Sequence, residues 1–144
     1  FKLAMLTQPS TFIAGENVLN FALVTVVDKG GNIVNTSNAT VAVELSGSFS
    51  GILLGSLTKE SIEGVAMFKN MTIRVNGTSY VVTFSSTVLL PVNSKPFAVL
   101  VGPAASITII KFPEYGLGGL IFQPAVQLLS SDAWNNALQS GYAN

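Results

Sequence analysis

Four triplets of the form Asn-x-Ser/Thr, none with proline in the middle, carry the clearest chemical signal in this sequence. They begin at Asn35, Asn38, Asn70 and Asn76. Such a triplet is an acceptor for N-linked glycosylation, which places a bulky sugar on a surface loop of a secreted protein. The chain is rich in Ser and Thr, so composition alone produces some of these triplets. Their placement adds weight. Asn35, Asn38 and Asn76 fall in predicted turns and Asn70 at a predicted strand kink, all places where a sugar chain can project.

Other chemistry is poorly served. There is no histidine and no cysteine, which removes most nucleophile–base pairs, most zinc sites and any disulfide framework. The serine-rich run Ser46–Ser50 has no histidine base to activate it. The acidic residues stand nearly alone, with Glu60 and Glu63 the one close pair, so nothing marks a carboxylate pair for glycoside hydrolysis. Asp28 and Asp132 are candidate calcium ligands, but calcium takes about six to eight oxygens, usually from several carboxylates. An Asx-type turn ahead of Gly31-Asn32 fits a solitary aspartate better. Gly116-Leu-Gly-Gly119 sits among β-formers and reads as a strand crossover, not a phosphate loop. Trp134, the only tryptophan, is a candidate interface anchor or sugar platform; the alternative is packing within its own domain. No catalytic, cofactor-binding or metal-binding residue is expected.

Composition narrows the partners. Hydrophobic residues make up 49% of the chain and charged residues only 10%, with a mean hydropathy of +0.55. An average soluble domain is about a quarter charged. Partner subunits, glycans or both are therefore expected to cover this surface. Seven basic and seven acidic residues cancel, and the lysines are scattered singly. Nucleic-acid binding and a polybasic membrane anchor both need clustered positive charge. The most apolar stretch, 97–110, is broken by Gly102, Pro103 and Ser106 and reads as two strands and a joint, not a membrane span. The chain opens on Phe1 with no signal-peptide layout, as expected of a processed chain or a piece of a longer one.

These residues must be positioned by strands. Period-2 alternation and β-branched residues dominate, with Gly, Asn, Ser and Pro as punctuation. Strands are predicted over 2–8, 18–28, 40–45, 64–68, 71–75, 79–85 and 96–101, with turns at Lys29–Asn32, Ser46-Gly47, Glu63-Gly64 and Asn76-Gly77. About seven short strands over about 100 residues is the pattern of an antiparallel immunoglobulin-like β-sandwich. Ala66, Phe68, Met71 and Ile73 are assigned inward, and Tyr80, Val82 and Phe84 alternate with Val81 and Thr83. Tyr80 stands where a tyrosine corner would place its hydroxyl against backbone.

The organisation is predicted as tandem repeats. A complete sandwich spans 1–101, a short rigid linker 102–105, and the first strands of a second repeat 106–144. Pro103 restricts the joint, so consecutive domains would form a stiff rod. A gapless shift of 104 positions carries Leu3 onto Ile107, Pro9 onto Pro113, Gly15 onto Gly119, Asp28 onto Asp132 and Asn32 onto Asn136. The coincidences fall on positions with backbone reasons to recur. A second repeat with only these strands leaves its core face uncovered, to be completed by its own chain or by a neighbour.

The first repeat resembles the bacterial-Ig-like (Big-type) tandem repeats of large surface proteins. The resemblance rests on an ordered set of short motifs: Gln8-Pro9, Ala14-Gly15, Asp28 with Gly31-Asn32, Gly64-Val-Ala-Met-Phe68, and Gly77-Thr-Ser-Tyr80. The last is one residue longer than the family's Gly-x-Tyr, and the tail departs where Trp134 and Asn135 replace Gly30 and Gly31. The resemblance implies a non-enzymatic spacer, adhesin stalk or filament segment at the cell surface or outside the cell. The expected role is a structural subunit assembling with neighbouring copies through apolar faces, with N-linked glycans as further partners. The alternative is an adhesin or receptor stalk that binds carbohydrate or protein through loops, for which Phe49, Tyr115 and Trp134 are the loop aromatics.

Overall fold

The computed structural model describes residues 1–46 and 52–138. Of the Ser46–Ser50 run only Ser46 is described; the Ser46-Gly47 turn and Phe49 lie outside the described residues. The described chain is all-β, with no helix. It falls into two compact units, Phe1–Leu100 and Val101 onward.

The first unit contains β1 (Lys2–Thr7), β2 (Phe12–Ile13), β3 (Ala22–Val27), β4 (Thr40–Ser46), β5 (Leu53–Leu54), β6 (Thr58–Glu60), β7 (Val65–Phe68), β8 (Thr72–Ile73), β9 (Gly77–Ser85), β10 (Val92–Asn93) and β11 (Phe97–Leu100). One sheet runs β1-β3-β7 and a larger one β2-β11-β9-β4-β6, with β10 paired to β9 and a separate β5–β8 pair. All pairings are antiparallel except β2–β11. A single core holds Leu3, Val24, Val26, Ala66 and Phe68 from one sheet, and Val41, Val43, Tyr80, Val82, Phe84 and Val99 from the other. Phe68 meets Phe84 with ring centroids 5.1 Å apart. Two sheets sharing one apolar core are consistent with a β-sandwich.

Alternation places the core where the sequence predicts it. Ala66, Phe68, Met71, Ile73, Tyr80, Val82 and Phe84 are all fully buried. Tyr80 donates its hydroxyl to the Val75 carbonyl at 3.0 Å, closing the predicted corner. The ring lies so near the backbone that a Cβ on Gly77 would stand 3.0 Å from it. Gly77 pairs with Val99 and Tyr80 with Phe97, so four residues face three. The surplus residue is absorbed as a β-bulge with Ser79 at φ 69°.

Some predicted strands are shorter in the structure. The run from Val18 narrows to β3, with Val18 making one isolated bridge to Met71. The run 71–75 narrows to β8. The strands β2, β5, β6 and β10 carry two or three residues each and have no periodicity to announce them.

The second unit is a hairpin of β12 (Ser106–Lys111) and β13 (Gln127–Ser131). A smaller loop hairpin closes within it, with Glu114 donating to Gln123 and Leu120 to Leu117.

Candidate functional site

All four sequon asparagines are exposed. Asn35 and Asn38 lie in the loop between β3 and β4. Asn70 lies between β7 and β8, at φ 54°, and Asn76 immediately precedes β9. Two groups of loops result. Ser61 bonds to the Ser37 carbonyl and Gly64 to the same atom, joining the loop that carries Asn35 and Asn38 to the β6–β7 turn. Elsewhere Gly15 bonds to Ile73, Met71 and Val18 exchange bonds, and Ala14 bonds to Leu100, gathering the segments around Asn70 and Asn76. A glycan at each site would project from loops and leave both sheets intact. In the Asn70 sequon, however, Met71 is fully buried, and the Thr72 hydroxyl is buried without a hydrogen-bond partner. That triplet is accessible as a whole only before the chain folds.

The two aspartates organise turns. Among the described residues no group of three or more acidic, His or Cys side chains gathers. Asp28 Oδ1 accepts the backbone N–H of Gly30 at 2.8 Å and of Asn32 at 2.9 Å, and Oδ2 accepts the Asn32 side-chain amide at 3.2 Å. Asp132 Oδ1 accepts the N–H of Trp134 at 2.8 Å and of Asn136 at 2.9 Å. Its Oδ2 accepts the Asn136 side-chain amide at 2.8 Å and the N–H of Gly102 at 2.9 Å. Carboxylates crowded by N–H donors present positive hydrogens where a cation would need to approach. The backbone N–H and then the side-chain amide of Asn32 hold the Asp28 carboxyl below its ordinary value. Burial pushes the Asp132 carboxyl up, but the Asn136 side chain and the N–H groups of Gly102, Asn136 and Trp134 outweigh it, so it too lies low. The Gly102 bond is invisible in the sequence, because nothing in the spacing links residues 30 positions apart.

The geometry of the two units coincides at a displacement of 104 residues. Leu3 pairs with Val26 and Ile107 with Ser130; Lys2 pairs with Val27 and Ser106 with Ser131. Each hairpin is bulged at the same place, between Met5 and Thr7 and between Ile109 and Lys111. Gly15 and Gly119 have φ of 80° and 84°. Asp28 bonds to Asn32 and Asp132 to Asn136, both at 3.0 Å, and Val34 bonds to Val26 as Leu138 does to Ser130.

Equivalent positions differ sharply in burial. Leu3 is 2% exposed and Ile107 71%; Val24 is 1% exposed and Leu128 54%. Ile107 and Leu128 are left exposed by the described residues. A second set is different in kind. Tyr115, Leu117, Leu120 and Ile121 are exposed, and so are their counterparts Thr11, Ile13, Glu16 and Asn17 in the fully covered first unit. These apolar residues stand on a loop hairpin with no charged residue from Tyr115 to Ser131. Trp134 is 40% exposed on the Asp132 turn.

No protein-family model matches this chain, and a comparison with curated proteins finds no match. No helix among the described residues is long and apolar enough to cross a membrane.

Proposed function

We propose that this chain is a repeat segment of an extracellular structural assembly. In this reading immunoglobulin-like sandwiches follow one another on a period of 104 residues, as a spacer that packs against neighbouring copies through apolar, charge-poor faces. The observation that carries it is the coincidence, one period apart, of pairing register, bulge, glycine turn and Asp–Asn turn. Chance resemblance of composition does not repeat a bulge. The strand order and the hydroxyl bond of Tyr80, near the start of a long late strand, support the immunoglobulin-like assignment. The ordered motifs shared with Big-type repeats point the same way.

The role is carried by surfaces and involves no covalent chemistry. Exposed Leu117, Leu120 and Ile121 support assembly, since contiguous exposed apolar groups mark interaction sites. Glycans on Asn35, Asn38, Asn70 and Asn76 keep the rest of a charge-poor surface in solution, and they place the protein on a secretory route.

The test is sedimentation of the full chain across concentrations, secreted from a glycosylating host and as the variant with Asn→Gln at all four sites. The glycosylated form should carry sugar at these asparagines and stay dispersed. The variant should gain mass as concentration rises. An unglycosylated chain that stays a monodisperse monomer at high concentration would end the assembly reading.

A further inference from the structure

We propose that Asn76-Gly77 is a self-modification site: where Asn76 carries no sugar, its side chain closes on the Gly77 nitrogen and converts to aspartate and isoaspartate. This chemistry is independent of the repeat reading. It meets the glycan reading at one atom, Asn76 Nδ2, which both fates use. Asparagine is among the thermolabile side chains. Ring closure favours an asparagine that reaches solvent and a following residue with no side chain to shield its nitrogen. Asn76-Gly77 is the one Asn-Gly step in the sequence, and Asn76 is exposed. The fold itself demands the glycine. A Cβ on Gly77 would stand 3.0 Å from Tyr80 Cε2 and 3.4 Å from the Tyr80 hydroxyl oxygen. The corner that buries Tyr80 therefore keeps a reactive step at its own entrance.

The position also permits the motion. Asn76 lies outside any strand, and Gly77 is the first residue of β9. The bulge at Ser79 separates Gly77 from the pairing of Tyr80 with Phe97. Strand ends open at low free energy, and glycine gives the step the widest backbone freedom. In the reaction the Gly77 nitrogen bonds to Asn76 Cγ and the Cγ–Nδ2 bond breaks. Nδ2 leaves as ammonia, taking the proton that the Gly77 nitrogen gives up. Solvent water then opens the cyclic imide at either carbonyl. Cleavage at Cγ yields aspartate. Cleavage at the main-chain carbonyl carbon yields isoaspartate, whose main chain runs through Cβ and Cγ. Either product adds a negative charge to a chain whose acidic and basic residues cancel. Isoaspartate also lengthens the main chain at a tight place. On one side is Val75, whose carbonyl accepts the Tyr80 hydroxyl at 3.0 Å; on the other is Gly77, which pairs with Val99. A sugar on Nδ2 occupies the departing nitrogen and holds the step shut.

The experiment ages the full folded chain, made in a non-glycosylating host, in mildly alkaline buffer. Peptide mapping by mass spectrometry and methyl transfer by an isoaspartate methyltransferase read the products. Aspartate and isoaspartate should accumulate at position 76 at least about tenfold faster than at any other asparagine, and the chain should focus as a more acidic band. In the aged fraction the amides of Gly77 and Tyr80 should shift and that of Val24 should stay. The Asn76→Gln variant should keep its charge, since glutamine would have to close a larger ring. Chain secreted from a glycosylating host should resist at position 76. The Thr78→Ala variant from that host keeps Asn-Gly but loses the sequon, and should regain the reaction. A rate at position 76 no higher than at the other asparagines overturns the proposal. So does reaction that appears only once urea unfolds the chain, because the strand end then shields the step. Equal reaction with and without sugar on Asn76 overturns it as well. Absence of sugar at position 76 in the secreted chain removes the glycan there alone, and that chain must then react as fast as the Thr78→Ala variant.

Discussion

Asp28 and Asp132 show how a single carboxylate shapes a loop. Each draws the N–H groups two and four residues ahead onto one oxygen and the Asn side chain onto the other. The third turn residue then adopts positive φ, Gly31 at 86° and Asn135 at 62°. Asn is the residue other than glycine that tolerates this region best, so replacement of Gly31 by Asn135 leaves the turn intact. The turn was legible in the sequence, since Asp followed by Gly or Asn has a local mechanism. The second clamp was not, because Gly102 reaches Asp132 only through the fold. Both carboxyls are held below their ordinary value when folded. Their contribution is therefore complete above the unfolded aspartate value, about 3.9, and is lost as pH falls through the lower folded one. Amide shifts of Gly102, Asn136 and Asn32 should stay flat from neutral pH to about 5 and move only below about 3.9. A midpoint above the ordinary aspartate value would show that the carboxylates are not the anchors. The Asp132→Asn variant should move the Gly102 amide at every pH.

At the scale of the element, the alternation of long strands is written in the sequence and the short strands are not. The faces of β7 and β9 follow period 2, with Ala66, Phe68, Tyr80, Val82 and Phe84 buried and the alternate residues, Met67 among them, facing outward. The strands β2 and β5 hold two residues each, and only partners distant in sequence define them. The β6–β7 turn shows how tightly such a connection is constrained. Ile62 and Val65 exchange both backbone bonds at 2.9 Å, and the residues between them, Glu63 and Gly64, have φ of 51° and 76°. Positive φ at both central residues is the demand of a type I′ hairpin, which prefers Asn-Gly. Glu63 is therefore strained, at a cost of about 1 kcal/mol, and Glu63→Asn should raise stability by about 0.5–1 kcal/mol in urea unfolding. Gly64→Ala should do the opposite, since its Cβ would lie 2.4 Å from the Val34 carbonyl oxygen. A loss of about 3 kcal/mol or more is expected. A neutral Gly64→Ala would mean that the loop between β3 and β4 does not pack on this turn.

At the scale of the molecule, the two units differ in what their strands can gain from packing. The first buries Tyr80 and five phenylalanines, with Phe12, Phe21 and Phe97 clustered at centroid distances of 5.9–6.4 Å and Phe68 on Phe84. Burial of a large apolar side chain contributes about 1.5–3 kcal/mol, which makes this core the source of cooperativity. The second unit pairs two strands with the same register and leaves every residue of β12 exposed. A lone two-stranded hairpin is marginal in water, so its persistence depends on the Asp132 clamp and on what covers Ile107 and Leu128. Hydrogen exchange on dilute chain should find the amides of β3, β4 and β9 opening only with global unfolding. Those of β12 and β13 should exchange faster by two orders of magnitude or more, corresponding to about 3 kcal/mol of missing stability. Conditions that assemble the chain should narrow that gap, because the exposed apolar residues of β12 and β13 are then covered. Equal protection of β9 and β13 in a dilute monomer would show that the hairpin is stable alone, and the need for a partner over the second unit would disappear.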